Sequence, residues 1–396
     1  MTSHPLWSLD PRVTFLNHGS FGACPIPVLD AQRRFRDRME REPVRFLSRD
    51  LPQLLDEARA ALAAFVGVGP DDLAFVPNAT TGVNTVVRSL HFERGDEILV
   101  TDHAYNACRN AVDAVAAASG ARVVVAPVPF PLDSAADVVA AIVDRVTPAT
   151  RLALVDHVTS PTGLVLPLAK MVAALTVRGV DVLVDGAHAP GMVPLDLRAL
   201  GAAYYTGNGH KWLCAPKGCG FLYVHPDRRA SIHPLVVSHG ANSPRTDRSR
   251  FHLEFDWTGT YDPSAYLAIP EALRVIGAAR PGGWPEVMAE NHRTALAARR
   301  VLCEALGTPP PCPEDMIGSL ASVRLPVDDR LATPPTMGQF RPVDAVQSAL
   351  FDGYAIEVPV MTWPAAPQRL LRISAQIYNT PEDYQRLAAA LRSLFQ

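Results

Sequence analysis

A lysine set between aromatic and apolar residues is the first feature of this chain that could do chemistry. Lys211 lies in the stretch 207–212, Gly-Asn-Gly-His-Lys-Trp, and follows an apolar run, 180–184, that ends at Asp185. Because removing an ammonium from water is costly, a buried lysine near an aspartate indicates that its amine is not an ammonium. The amine can instead form a Schiff base with an aldehyde cofactor whose ring nitrogen pairs with the aspartate, which describes pyridoxal 5'-phosphate (PLP). The alternative is an exposed lysine after a turn.

A second candidate is the stretch 77–84, Pro-Asn-Ala-Thr-Thr-Gly-Val-Asn, which closes a predicted strand and opens a predicted helix. The free N–H groups and the dipole of a helix start favour an anion, and the hydroxyl groups of Thr80 and Thr81 add donors. This pattern indicates a phosphate site. The alternative is plain capping of the helix by Asn78 or Thr80.

Four further side chains stand where a cofactor or substrate could use them. Tyr105 begins a predicted helix and could lie flat on a cofactor ring, or it could be an ordinary core or rim aromatic. Asp185 ends an apolar strand and needs a partner, either a pyridinium N–H or a helix start. His188 could bond the ring oxygen or simply fill the turn. Arg372 interrupts an apolar strand, so it needs a carboxylate, from the substrate or from an internal salt bridge.

The elements that position these candidates follow from hydrophobic periodicity. Runs that are apolar throughout alternate with helical patterns, and they lie at 73–76, 97–101, 122–128, 152–158, 180–184 and 218–224. The alternation predicts an α/β fold with a mostly parallel central sheet covered by helices. Ligands of such sheets bind beyond the carboxyl ends of the strands, where most of the candidates lie.

The length of 396 residues and the later pattern predict a second, smaller domain. After four prolines in 307–313, strands at 319–325, 355–360 and 369–374 and helices at 343–352 and 381–395 indicate a C-terminal α+β unit. We expect an N-terminal segment, 1–30, that packs on the small domain, a large PLP-binding domain, 31–270, and the small domain, 271–396.

Composition excludes several classes of protein. A hydrophobic content of 48% suits a large core, and a net charge of -3 without a basic block favours neither nucleic acid nor an anionic membrane as a partner. The six cysteines form no C-x-x-C pair and no zinc-like cluster, so reduced thiols are expected. With no signal sequence and no spanning run, we expect a soluble cytoplasmic protein.

Taken together and in this order, the motifs resemble those of class V aminotransferases, a group of fold-type I PLP enzymes, and within it the isopenicillin N epimerase-like branch. The resemblance runs from residues 15–22, Phe-Leu-Asn-His-Gly-Ser-Phe-Gly, to 378–380, Tyr-Asn-Thr. Its most specific parts are 184–191, Val-Asp-Gly-Ala-His-Ala-Pro-Gly, with 207–212 and 372–374. It implies the fold-type I PLP-dependent transferase architecture.

The resemblance also implies roles for the residues around the cofactor. Lys211 would hold PLP and shuttle protons, Asp185 would keep the ring nitrogen protonated, and His188 would lie near the ring hydroxyl; these three are the implied catalytic residues. Tyr105 would stack on the ring. The implied phosphate ligands are Thr80, Thr81 and His210.

Further roles concern the substrate and the oligomer. The resemblance implies that Arg372 grips the substrate carboxylate and that Asn17 and His18 line the pocket. The stretch 258–260, with Thr258 and Thr260, would reach the phosphate of a neighbouring subunit, which implies a homodimer with active sites at the interface.

Two positions depart from the family pattern. Asn208 stands where the family often has a serine that contacts the phosphate, and Ser160 stands where an asparagine usually contacts the ring hydroxyl. We keep both as candidate cofactor contacts. No cysteine like that of the cysteine desulfurases is evident on an active-site loop, so that branch is disfavoured.

The reaction is less determined than the cofactor. After loss of the α-proton, a substrate can be reprotonated on the other face or can expel a β-sulfur group. If the carboxylate leaves instead of the proton, the substrate is decarboxylated, sometimes with oxidative deamination. We expect epimerase or racemase chemistry first and a C–S lyase second, with His18, Tyr105 and His210 as candidates for the second acid or base. A non-catalytic PLP-fold binding protein is the distant alternative, which the presence of Lys211 and Arg372 disfavours.

Overall fold

The computed structural model describes residues 5–328, 331, 336–337 and 342–395, and the statements below concern these residues. In chain order the strands are β1 (Thr14–Phe15), β2 (Leu73–Val76), β3 (Glu97–Thr101), β4 (Arg122–Ala126), β5 (Thr150–Asp156), β6 (Asp181–Gly186), β7 (Tyr204–Asn208), β8 (Gly220–Val224), β9 (Leu320–Arg324), β10 (Thr336–Met337), β11 (Pro342–Val343), β12 (Ile356–Glu357), β13 (Val360–Thr362) and β14 (Arg369–Ser374).

The α-helices are α1 (His18–Phe21), α2 (Ile26–Arg41), α3 (Pro43–Arg45), α4 (Leu51–Val66), α5 (Ala79–Ser89), α6 (Asn106–Ser119), α7 (Ala135–Val143), α8 (Leu168–Thr176), α9 (Leu197–Leu200), α10 (Arg250–Phe255), α11 (Ser264–Leu267), α12 (Ile269–Gly277), α13 (Gly283–Leu306), α14 (Ala345–Tyr354) and α15 (Pro381–Phe395). The helical stretch from Ile26 to Val66 is interrupted near Pro43, since proline has no N–H group to donate to the preceding turn.

A seven-stranded sheet in the order β2-β8-β7-β6-β5-β3-β4 forms the centre of the fold. The strands from β7 to β4 in this order pair in parallel, whereas β8 runs antiparallel to both of its neighbours. The prediction of an α/β fold with a mostly parallel central sheet is therefore confirmed.

Both faces of this sheet are buried, which explains why its strands are apolar throughout. On β5, Leu152 and Leu154 pack in a core with α5 and α6, whereas Ala153 and Val155 pack in the core on the opposite face. Successive side chains of a strand point to opposite faces, so each strand contributes to both cores. Most polar side chains of the sheet therefore lie at or near the strand ends, where the cavity opens.

The sequence did not predict β7, the strand that leads to Lys211. Its residues, Tyr204 to Asn208, include a glycine and an asparagine, which are depleted in strands. The strand is nevertheless buried along its whole length between β6 and β8. Tertiary pairing therefore overrode a weak local preference.

The C-terminal part contains a three-stranded antiparallel sheet in the order β13-β14-β9. The predicted strand at 355–360 is two strands in the structure, β12 and β13. The N-terminal segment joins this part of the chain, because β1 pairs in parallel with β12 through Thr14 and Ile356. Within the described ranges, no helix is both long and apolar enough to span a membrane.

Candidate active site

A cavity of about 250 Å³ opens at the carboxyl ends of β5, β6 and β7 and at the start of α5. It brings together most of the side chains predicted from the sequence. The predicted residues on its wall are Thr80, Tyr105, Ser160, Asp185, His188, Asn208, His210 and Lys211. Parallel neighbouring strands end at the same edge of the sheet, which is why motifs far apart in the chain meet here.

Lys211 presents its amine to this cavity from the loop between β7 and β8, residues 209–219, which we call the lysine loop. Its Nζ lies 3.0 Å from Nε2 of His188. Desolvation, and next the positive charge of Arg372, lower the pKa of Lys211 to about 7, against an opposing effect of Asp185. The amine is therefore available in its neutral, nucleophilic form near neutral pH.

His188 is a neutral imidazole at the end of the turn after β6. The residue is 2% exposed, and burial, followed by the charge of Lys211, lowers its pKa well below the usual value. Its Nδ1 is buried and has no hydrogen-bond partner among the described residues. A buried polar atom of this kind needs a partner, and a polar atom of a bound cofactor would provide one.

Asp185 ends β6 with both carboxylate oxygens engaged. Oδ1 accepts a hydrogen bond from the amide of Ala187 at 3.0 Å, and Oδ2 accepts one from the thiol of Cys108 at 3.1 Å. Hydrogen bonds to a carboxylate favour its ionised form. The side chain can thus act as an anionic partner for a ring N–H.

The predicted anion site at the start of α5 is also a capped helix end. The side-chain oxygen of Asn78 accepts from the amide and the hydroxyl of Thr81, at 2.9 and 3.1 Å. The side-chain oxygen of Asn208 accepts from the amide of Ala79 at 2.8 Å. Thr81 is therefore used in the cap, whereas Thr80 lies on the cavity wall. The structure thus shows capping by Asn78, and the phosphate site at this helix start stays a prediction.

His210 lies at the same side of the cavity as this helix start. Its Nδ1 is 3.0 Å from the carbonyl oxygen of Cys219, and burial lowers its pKa to about 4. The ring is therefore neutral in the structure. A phosphate beside it would favour the protonated ring, because an adjacent negative charge raises the pKa of histidine.

Arg372 lies behind the cavity wall and is 3% exposed. Its Nη1 donates to the carbonyl oxygen of Ser160, and also to the Ser160 hydroxyl at 3.3 Å. Its Nη2 donates to the hydroxyl of Ser20 at 3.3 Å. The two serines lie on the wall, so their hydroxyl groups stand between the guanidinium and the cavity.

Besides Thr81 and Arg372, four other predicted site residues do not lie on the cavity wall of their own chain. Asn17 donates to Glu357 at 2.9 Å, and His18 is fully buried behind the lysine loop, with Nε2 3.1 Å from the Lys211 carbonyl oxygen. Thr258 and Thr260 lie in the loop after α10, outside the cavity.

The first turn of the chain nevertheless contributes to the wall through other residues. In α1 the side chains of Ser20 and Phe21, and not those of Asn17 and His18, face the cavity. The turn is pressed against the lysine loop, because a Cβ on Gly22 would lie 2.1 Å from the carbonyl oxygen of His210. We expected Asn17 and His18 to line the pocket. The structure places this turn at the cavity, but Ser20 and Phe21 lie on the wall in place of Asn17 and His18.

Sequence reasoning also missed Asp156 and Cys108. Asp156 ends β5 and lies on the cavity wall, and Cys108 contacts Asp185 from α6. The argument used for Asp185, a carboxylate at the end of an apolar strand, applies equally to Asp156. For Cys108 the chain carries no local signal, since it reads as an ordinary core position of a helix.

The donor set fits the groups of PLP. An aldehyde needs a neutral amine, a pyridine nitrogen needs a carboxylate, a ring hydroxyl needs a polar partner, and a phosphate needs an anion site. The cavity offers these in Lys211, Asp185, the start of α5 and the Nδ1 atom of His188, which has no partner within the part of the chain that the structure describes.

Comparison with known proteins agrees with this assignment. The family model described as aminotransferase class-V matches residues 22–304. The chain is 39% identical over 403 residues to the isopenicillin N epimerase of Amycolatopsis lactamdurans, covering 98% of this chain and 96% of that protein. It is 32% identical to a probable chloroplastic L-cysteine desulfhydrase of Arabidopsis thaliana, over 97% of this chain and 83% of that one.

A solved structure has the same architecture. The cystine C–S lyase C-DES, in complex with its product cysteine persulfide, superposes with a TM-score of 0.79 at 27% identity, covering 96% of this chain and 98% of that one. A variant of C-DES carries glycine covalently linked to its PLP cofactor. On the match of its sequence, its sheet and its lysine site, this chain belongs to the class-V aminotransferase family.

Proposed function

We propose that this chain, a PLP-dependent enzyme, acts at the α-carbon of an amino acid or amino-acid-bearing metabolite, and that its reaction is an epimerisation or racemisation. The observation that carries the proposal is the contact of 3.0 Å between the Lys211 amine and His188 in the cavity that also holds Asp185. PLP, when bound, supplies an aldehyde that holds the substrate amine and a ring that withdraws electrons from the α-carbon.

We assign the proton transfer to Nζ of Lys211. With a pKa of about 7 the amine is close to the optimum for a base that works near neutral pH. Asp185 would hold the ring nitrogen in its protonated form. His188 would contact the ring hydroxyl through the Nδ1 atom that has no partner among the described residues.

We assign the substrate carboxylate to Arg372. Its contacts with the Ser20 and Ser160 hydroxyls, both at 3.3 Å, can be exchanged for a carboxylate, which a guanidinium binds with two parallel hydrogen bonds. The serines that hold the guanidinium behind the wall would then also orient the carboxylate.

An epimerase needs a second acid or base on the face opposite Lys211. Tyr105 and His210 are the titratable candidates from the sequence that line the cavity, and Tyr105 is 46% exposed. His18, the third candidate, is buried behind the lysine loop. We therefore assign this role to Tyr105 or His210.

The relatives support both candidate reactions. Isopenicillin N epimerases from Amycolatopsis lactamdurans and Streptomyces clavuligerus are 39% and 35% identical to this chain over 98% of its length. The second candidate is β-elimination from an S-cysteinyl substrate. It is supported by the resemblance to a cysteine desulfhydrase and to a C–S lyase, at 32% and 27% identity.

We also propose that the enzyme is a homodimer. Thr258 and Thr260 lie outside the cavity of their own chain, and Thr260 is exposed. In the proposed dimer they would reach the phosphate held by the other subunit.

Incubation of the PLP-loaded protein with a panel of amino acids in deuterated water tests the proposal. Recovered substrate that carries deuterium at the α-carbon and has both configurations is the expected result. Release of pyruvate and ammonia from cysteine or cystine would favour the lyase. Absence of α-deuterium in every substrate, with Lys211→Ala as the blank, would contradict chemistry at the α-carbon.

A further inference from the structure

Asp156 is a second acidic side chain in the cavity, and the proposed reaction gives it no role. It ends β5, where its Cα is paired in register with that of Asp185 on β6. In-register side chains of parallel neighbours point to the same face of a sheet, and both residues line the cavity. Both residues are buried, at 3% and 4% exposure.

A third acidic group completes the cluster. The thiol of Cys108, on α6, donates to Oδ2 of Asp185 at 3.1 Å. Burial, and then the neighbouring Asp185, raise the pKa of this thiol well above its usual range. The thiol therefore stays protonated and remains a donor to the carboxylate.

Two negative charges on the neighbouring carboxyl groups of this cluster would be energetically costly. Two neighbouring carboxyl groups out of water repel each other when both are ionised, so one of them keeps its proton. Asp185 accepts hydrogen bonds from the thiol of Cys108 and the amide of Ala187, and donors of this kind stabilise a negative charge. Burial, and then the charge of Asp185, raise the pKa of Asp156 well above its usual range.

The other titratable and charged groups near the cavity come from other elements. Lys211 belongs to the loop after β7, His188 to the turn after β6, and Arg372 to β14. The carboxylate that raises the pKa of Lys211 is Asp185. The electrostatic interaction across the cavity is thus between Lys211 and Asp185. Asp156 lies beside Asp185.

We propose that Asp156 is a positioning residue: it stands beside Asp185 as a protonated carboxylic acid and, together with the Cys108 thiol, leaves Asp185 as the single negative charge that faces the cofactor's ring nitrogen. This inference rests on the proposed function, since it requires Asp185 to pair with PLP. Its consequence is that a neutral side chain of the same shape can replace Asp156, whereas none can replace Asp185.

The first test uses the PLP-loaded protein and the variants Asp156→Asn and Asp156→Ala. Asp156→Asn should keep the Kd for PLP within about threefold and leave unchanged the pH midpoint at which the visible absorbance of the bound cofactor titrates. Asp156→Ala, which removes the side chain that stands beside Asp185, should weaken PLP binding about fivefold or more, and Asp185→Asn should weaken it much further. A midpoint lowered by about one pH unit in Asp156→Asn would mean that a negative charge had been removed, and would overturn the proposal. Equal PLP affinities of the Asn and Ala variants would overturn it as well.

The second test uses the full-length chain freed of PLP and measures Tm against pH. In the unfolded chain the Asp156 carboxyl ionises near pH 4, whereas in the folded chain it keeps its proton, so the wild type loses stability relative to Asp156→Asn as the pH rises. The Tm of Asp156→Asn minus that of the wild type should therefore grow by about 2 °C or more from pH 5 to pH 8. A gap that stays constant or shrinks would overturn the proposal.

Asp181→Asn is the matched control for the second test. Asp181 lies at the other end of β6 and forms an ion pair with Arg228 at 2.9 Å, so its loss should give no gap that grows with pH. The two tests also separate this inference from the proposed function. A wild-type protein that takes up no PLP would refute the function, while the Tm gap would still decide the protonation of Asp156.

Discussion

The side-chain amine of Lys211 lies 3.0 Å from Nε2 of His188, although the two residues belong to different loops. His188 follows β6 and Lys211 follows β7, and these strands pair in parallel, so the loops leave the sheet side by side. Burial lowers the pKa of both side chains, that of Lys211 to about 7. The contact is therefore between a neutral imidazole and an amine that titrates near neutrality.

Replacement of the lysine gives the first prediction. Lys211→Ala should abolish the covalent attachment of PLP and reduce turnover by about 10²–10⁴-fold or more, because both the attachment and the proton transfer are lost. Visible absorption of the purified protein and its bleaching by borohydride measure the attachment. Lys170→Ala, at an exposed position of α8, is the control and should behave as the wild type. A coloured Lys211→Ala variant that borohydride still bleaches would contradict the assignment.

The pKa of Lys211 gives a second prediction, about pH. Attack on the PLP aldehyde needs the neutral amine, so the rate of PLP uptake by the apoprotein should rise with pH up to about 7 and level off above it. Arg372→Met removes a positive charge that lowers this pKa, so the midpoint should move up by about one unit. Stopped-flow absorbance across pH 5–9 measures both. A midpoint that stays unchanged or moves down in Arg372→Met would contradict the electrostatic argument.

The packing of the first turn against the lysine loop gives a third prediction. Gly22 has φ of 70°, and a Cβ there would lie 2.1 Å from the carbonyl oxygen of His210. Gly22→Ala should therefore displace the lysine loop and weaken PLP binding at least about tenfold. Gly353→Ala is the control and should be neutral, because on α14 no atom of the described residues outside its own helix lies within 4 Å of the added Cβ. Titration of the apoproteins with PLP distinguishes them, and equal affinities would refute the packing argument.

A buried arginine beneath α10 gives a fourth prediction, about stability. The side chain of Arg59 is 1% exposed and forms ion pairs with Asp56, at 2.8 Å, and with Asp256. Arg59→Ala should lower the free energy of unfolding by about 3–5 kcal/mol, since it leaves Asp256 without its buried partner.

Arg33→Ala provides the comparison for this stability prediction. Its side chain is 69% exposed and pairs with Asp30, so the free energy of unfolding should change by less than about 1 kcal/mol. Urea denaturation followed by tryptophan fluorescence measures both variants. Similar losses in the two variants would show that the burial of Arg59 does not determine its contribution.

The order of the motifs made much of the fold predictable. Apolar runs bounded by helical patterns indicated a parallel sheet, because strands covered on both faces are apolar at every position. The lysine and Asp185 were found by the same reasoning, since a charged group beside an apolar strand needs a partner. The strand argument failed for β7, whose glycine and asparagine gave no strand signal. The argument about charged groups was not applied to Asp156.

By itself the sequence determined most of the buried segments, β7 excepted, and the side chains at their ends, because burial leaves apolar residues at recognisable positions along the chain. Only the tertiary structure decided which of these ends meet. The register that sets Asp156 beside Asp185, the cap that Asn208 places on Ala79 from 129 positions away, and the side of α1 that faces the cavity all depend on packing between distant segments. Local periodicity contains no information about such pairings, since they are set by the shapes and charges of surfaces that come together only when the chain has folded.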